Sequence, residues 1–292
     1  MKPHILPTKA RERNPQTLCA AVGFADGIGG IQSQNIVGYN TVTVNKEWSI
    51  FAVNFKTTSD SNLTIQEAFP YVEGMTKGNA SSGDQIQIQK PEGDGYDTFF
   101  LSDGNFKKMG KNNYDPAKDG KWFVSSATAA SSSSDFALAP GQAFWYLSKR
   151  FVNNPEAEPF SMTIAGMIPG DASKDITVDK EWKHIANPYP FDLPISSLTY
   201  VEGMTKGNAS NGDQIQVQKP DGEGYDTFFL SDGNFKKMGK DNYDPAKDGK
   251  WFVNSATTAS SPTDAVIPVG KGAWYRRMGD KEFTFTIDSP IK

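Results

Sequence analysis

A chain of 292 residues with 30 basic and 34 acidic side chains, net charge −4, has room for two domains and no broad field to draw nucleic acid or an anionic membrane. One cysteine, Cys19, and two histidines, His4 and His184, exclude a disulfide framework and a CxxC zinc site, so a metal would need oxygen ligands. Aromatics at 12%, with 27 Gly and 18 Pro, favour short strands and frequent turns over helices, and so an all-β chain.

Residues 1–34 read apart from the rest. Lys2, Lys9, Arg11 and Arg13 precede a short apolar run, Leu18–Ala25, which makes this a signal-like segment or, on the other reading, a disordered basic tail. Leu18 ahead of Cys19 is not the small residue that a lipoprotein anchor needs. No later apolar run reaches the ~18 residues of a transmembrane span.

From Gln34 onward, Val42 and Val44 alternate with Thr41 and Thr43, and a second run starts at Trp48. The pattern predicts two strands joined as a hairpin by Asn45-Lys46-Glu47. The phrase returns at Asp175–Phe191, which sets the start of a second unit near Asp171. Asn62 is expected to cap a two-turn helix that Pro70 ends.

The block Tyr71–Thr128 then recurs as Tyr200–Thr257 with only six differences: Ser82/Asn211, Ile88/Val217, Glu92/Asp221, Asp94/Glu223, Asn112/Asp241 and Ser125/Asn254. The chain is a tandem duplication, and the copies must fold alike. Ile86 and Ile88 alternate with Gln85, Gln87 and Gln89 as one strand with a buried face. GYDTFFL, SDGNFKKM and GKWFV read as further strands of a meander, with Asp103-Gly104 and Asp119-Gly120 as turn dipeptides. ALAPGQAFWYL (137–147) and FSMTIAG (160–166) close the first unit, answered by VIPVGKGAWYR (266–276) and FTFTIDS (283–289). The expected architecture is therefore two tandem, homologous β-sandwich domains, jelly-roll-like, with short helical connectors, at 35–170 and 171–292.

QNIVGYNTVTV, the spacing from Trp48 to Asn54 and from Trp182 to Asn187, GYDTFFL and the PGQAFWY strand together resemble a little-characterised secreted β-domain repeat of planctomycete and verrucomicrobial bacteria. The resemblance covers both halves from about Asn35. It implies export, with a mature start near Ile31 to Gln34, and says nothing about activity.

The chemistry-bearing residues are few. Nucleophilic catalysis would have to use His184, and the first copy offers Ile50 or Ser49 at the matching place, so a solvent-facing or capping histidine is the expectation. Asp84, Asp94, Asp97 and Asp115 are the acids from which a glycosidase pair could be drawn, although acids beside Gly, Asn and Pro are ordinary turn residues. A Ca2+ site is considered at Asp115 and Asp119, with Asp244 and Asp248 in the second copy. Tyr96, Tyr114 and Trp122, with Tyr225, Tyr243 and Trp251, are candidates to stack on sugars, against a simpler role in the core. Trp122 and Trp251 are expected under a neighbouring turn. Lys107 and Lys108, with Lys236 and Lys237, mark a candidate interaction face. The function expected is a non-enzymatic, exported tandem β-protein, structural or adhesive at a cell surface, meeting a protein or glycan surface or its own kind. A glycan-binding module is the alternative, and a carbohydrate-active hydrolase comes third.

Overall fold

A computed structural model of the chain describes residues 36–91, 95–108, 111–235, 243–257 and 260–291, with the side chains of 107–113 outside that description. The protein is nearly all β, in two similar sandwich-like halves. In the first half the elements are β1 (Val37–Val44), β2 (Trp48–Ala52), β3 (Leu63–Thr64), α1 (Ile65–Ala68), β4 (Gln85–Gln89), β5 (Tyr96–Lys108), β6 (Lys111–Val124), β7 (Ala137–Leu138), β8 (Ala143–Leu147), α2 (Lys149–Asn153) and β9 (Phe160–Met167). The second half repeats the strands, without a counterpart of α2 among the described residues, as β10 (Ser173–Val178), β11 (Trp182–Ala186), β12 (Leu193–Pro194), a 3-10 turn (Ile195–Ser197) in place of α1, β13 (Gln214–Gln218), β14 (Tyr225–Asn234), β15 (Tyr243–Val253), β16 (Val266–Ile267), β17 (Gly272–Arg276) and β18 (Phe283–Asp288).

Each half is built from an antiparallel five-stranded sheet, ordered β2-β8-β4-β5-β6 and β11-β17-β13-β14-β15, and a two-stranded sheet of its first and last strands, β1-β9 and β10-β18. The expected opening hairpin is not one. β1 pairs with β9 and β2 with β8, so Asn45–Glu47 carries the chain from one sheet to the other. The apolar alternation was compatible with either route, and the distant partner strand decides between them. On β1, and on β9 as far as Ala165, buried and exposed residues alternate, with Val42, Val44, Phe160, Met162 and Ile164 buried and Thr41 facing Thr163, the two hydroxyls 3.0 Å apart. The second half repeats this cross-strand pair as Thr177 and Thr284 at 2.9 Å.

The two turn dipeptides also need correction. Asp103-Gly104 and Asp119-Gly120 lie inside one long hairpin, β5-β6, where Asp103 pairs with Asp119 and the register shifts on either side. Both glycines have positive φ, 76° and 69°, so a conformation that ends a strand in a turn here bulges it instead. The helical connector is shorter than expected: α1 is a single turn, and its cap is Thr64, in a capping box with Glu67, rather than Asn62.

Each half has its own core. That of the first collects Phe51, Ile86, Leu101, Trp122, Phe144 and Tyr146 from the large sheet against Val42, Val44, Met162 and Ile164. β2 is buried on both faces, because Phe51 points into this core while Ile50 and Ala52 point at the second half. The halves meet through equivalent residues. Gln89 Nε2 donates to the Trp182 carbonyl at 2.8 Å, and its counterpart Gln218 donates to the Trp48 carbonyl at 2.7 Å. Trp145 meets its own counterpart Trp274 edge-on, centroids 6.0 Å apart. The contact is thus a two-fold one in the manner of a symmetric dimer, closed within one chain.

On that pseudo-axis lie Ala143 and its counterpart Gly272. A Cβ at 272 would stand 2.5 Å from Ala143 Cβ and 2.6 Å from Ile50 Cγ2, so only one half can carry a side chain there. Gly272→Ala is expected to destabilise by about 1–3 kcal/mol through overpacking. Adding Ala143→Gly should recover part of that loss, since it removes one of the two collisions. A double-mutant cycle of melting curves checks the coupling, and strict additivity would contradict the shared axis.

Candidate functional site

The predicted ligand aromatics separate into three environments. Trp122 and Trp251 are 0% and 2% exposed, and their indole N–H groups donate to the Phe69 and Leu198 carbonyls at 2.6 Å. They are core residues pinned under the neighbouring loop, and they have no face to offer a sugar. Tyr96 and Tyr225 sit at the contact between halves. Tyr96 lies 6.3 Å from the His184 ring, and Tyr225 packs on Ile50, Ala52, Ala143 and Ala186. Only Tyr114 and Tyr243 are open, at 56% and 58% exposure.

Around Tyr114 the fold assembles residues from three segments. Gly104 of β5, at positive φ, lets the ring lie against the backbone: a Cβ there would be 2.9 Å from Tyr114 Cε2 and 2.7 Å from the Asp115 carbonyl oxygen. The Tyr114 hydroxyl points to Asp119 Oδ2 at 3.4 Å. Asp119 Oδ1 takes the Lys77 ammonium at 2.7 Å, and that ammonium stands 4.8 Å over the ring of Tyr71. Tyr71, 44% exposed, rests in turn against Gly120. The hydrogen bond to Asp119 holds the Lys77 ammonium above the usual lysine range. The second half rebuilds the row Tyr200, Lys206, Asp248, Tyr243 with an ion pair of 2.8 Å, a hydroxyl contact of 3.4 Å and a cation–π distance of 4.8 Å. Both rows lie at β6 and β15, the edge strands farthest in sheet order from β2 and β11 of the interface.

The calcium candidates do not converge among the described residues. Asp119 and Asp248 already face lysines, while Asp115 and Asp244 accept from their own strands, at the Ala117 and Ala246 N–H, and lie 3.9 Å from Lys118 and Lys247. Ca2+ needs six or more oxygens, and among the described residues no group of three His, Cys, Asp or Glu converges. The side chains of Lys107 and Lys108, and all of Lys236 and Lys237, lie outside the described residues, as does Asp94.

Of the candidate catalytic groups, His184 and Asp84 are buried. His184 is not solvent-facing: it is 5% exposed, 3.9 Å from the Trp274 ring and 5.6 Å from Trp145, and neither ring nitrogen has a hydrogen-bond partner. Burial first, then the Lys183 charge, pulls its pKa down to about 3. Asp84 is fully buried, accepting from the Tyr146 hydroxyl at 2.7 Å and from the Thr76 and Lys149 N–H groups at 3.0 and 2.6 Å, and Asp213 repeats this with Tyr275, Thr205 and Met278. Burial raises the pKa of both carboxyls despite these donors. They tie a loop to the sheet.

The sequence reading missed Tyr71 and Lys77. Their one signal was that both recur unchanged at 200 and 206; nothing local tied them to Tyr114, which folding brings near through Asp119. No family model matches the chain, and no curated protein or solved structure matches it either. Among the described residues no helix is long and apolar enough to cross a membrane, a statement that leaves β-barrels aside.

Proposed function

We propose that this protein is a non-catalytic, exported attachment protein that presents one binding face twice. The observation that carries the reading is the Tyr71–Lys77–Asp119–Tyr114 row and its counterpart in the second half, whose ion-pair distances agree within 0.1 Å (2.7 and 2.8 Å) although the flanking sequences have drifted. A duplicated pair of exposed tyrosines suits a contact made at two points. The signal-like composition of residues 1–34 and the secreted domains that the repeats resemble support export.

Two weak sites on one body can gain about 10²–10⁴ in avidity when both engage. Tyr114→Ala alone is therefore expected to remove most retention of the purified protein on cells or envelope of its source organism, and adding Tyr243→Ala should remove the remainder. Melting curves should stay near wild type, since both rings are more than half exposed. Undiminished retention of the double variant would sink this reading.

A further inference from the structure

We infer that each row is a carbohydrate subsite for a neutral pyranose, with Tyr114 and Tyr243 as the stacking rings and the pairs Lys77–Asp119 and Lys206–Asp248 as readers of adjacent hydroxyls. This rests on the attachment reading above and names the ligand of the same sites.

The first support is the seating of the ring. Gly104 and Gly233 have positive φ, 76° and 77°, and in both halves a Cβ would stand 2.9 Å from the tyrosine Cε2. One side of each ring is thus held against backbone, while 56% and 58% of each tyrosine stays exposed. A flat, amphipathic ring fixed at its back costs little conformational entropy on binding and suits a ligand with an apolar face and a polar rim. A pyranose has that form, with C–H groups on its faces and hydroxyls around its edge.

The second support is the polar pair beside the ring. The Lys77 ammonium donates only and the Asp119 carboxylate accepts only, whereas each sugar hydroxyl does both. Ammonium and carboxylate are 2.7 Å apart, a spacing that lets neighbouring hydroxyls engage one group each, with the Tyr114 hydroxyl 3.4 Å from the same carboxylate. The pair is only partly exposed, 30% and 27% for the two side chains, so its geometry is held in place. It is also neutral overall. Phosphate, sulfate or uronate would find the lysine already engaged by an acid, and a cationic ligand would find the acid engaged by a lysine.

The test is affinity electrophoresis of the full chain in gels holding neutral polysaccharides (mixed-linkage β-glucan, xylan, galactomannan, pullulan) or anionic ones (alginate, polygalacturonate). Retardation in at least one neutral gel is expected, and little in the anionic gels. Tyr114→Ala with Tyr243→Ala should reduce the retardation at least tenfold. Tyr114→Phe with Tyr243→Phe should keep most of it, because the ring face survives. Asp119→Asn with Asp248→Asn should weaken it several-fold, with melting curves to show that the variants fold. Absence of retardation in every neutral gel, or retardation that the double alanine variant retains, overturns the carbohydrate assignment. Retention on source-organism envelope that still depends on Tyr114 and Tyr243 would in that case leave the attachment reading standing with a protein partner. Loss of that dependence as well would remove both.

Discussion

Trp122→Ala is expected to destabilise the first half by about 3–5 kcal/mol, the range for a large aromatic removed from a core. The indole is 0% exposed and touches the Tyr146 ring at a 6.4 Å centroid distance, so a cavity opens at the centre of the sandwich. The Phe69 carbonyl loses its 2.6 Å donor as well, which frees the segment behind α1 that leads to Tyr71. Trp251→Ala should cost the same in the second half, through the Leu198 carbonyl. Denaturant unfolding of both variants checks this, and a loss below about 1 kcal/mol would contradict the burial.

Acidification should weaken the protein through His184. Its folded pKa of about 3 lies below the ordinary 6.5, so its contribution to stability is fully present above pH 6.5 and is lost progressively as pH falls toward about 3. A gap of about three and a half pH units at about 1.4 kcal/mol per unit bounds the loss near 5 kcal/mol. The groups around the ring are Trp145, Trp274, Tyr96 and the adjacent Lys183, and none is an acid that would favour the imidazolium. Asp84 and Asp213 act oppositely: their raised pKa values make a contribution that is present below the usual carboxylate range and lost as pH rises. His184→Ile, which copies the Ile50 of the first half, isolates the histidine because it leaves both acids in place. Melting temperatures from pH 7 to 4 should fall more steeply for wild type than for the variant, and parallel curves would contradict the assignment.

The duplication and the all-β class were legible because apolar alternation and near-identity of two blocks are local signals, whereas GYDTFFL and SDGNFKKM, read as two strands, fall on the single strand β5. The burial of Trp122 under the neighbouring loop was also expected. Sequence could not show that Phe123 meets Phe100 and Phe106 in a second small cluster, capped by Lys118 over Phe106. Sheet assignment of β1 and β2 was not legible, since Asn45–Glu47 is long enough for either a hairpin or a crossing between layers. The Asp-Gly dipeptides misled because a left-handed glycine serves a bulge as well as a turn. The site was least legible of all. Tyr71, Lys77, Tyr114 and Asp119 are spread over 49 residues, and each taken alone looks like ordinary surface.

If the twin rows bind as proposed, the two-fold contact between the halves determines how they would work together. Reciprocal glutamine bonds, the tryptophan pair and the Ala143–Gly272 fit fix one row relative to the other with no flexible tether between them. On the proposed function such a body would act as a calliper. A surface whose repeat matches the opening of the jaws fills both at once, and one of another pitch can fill only one. Selectivity then comes from the spacing of the target as much as from its chemistry.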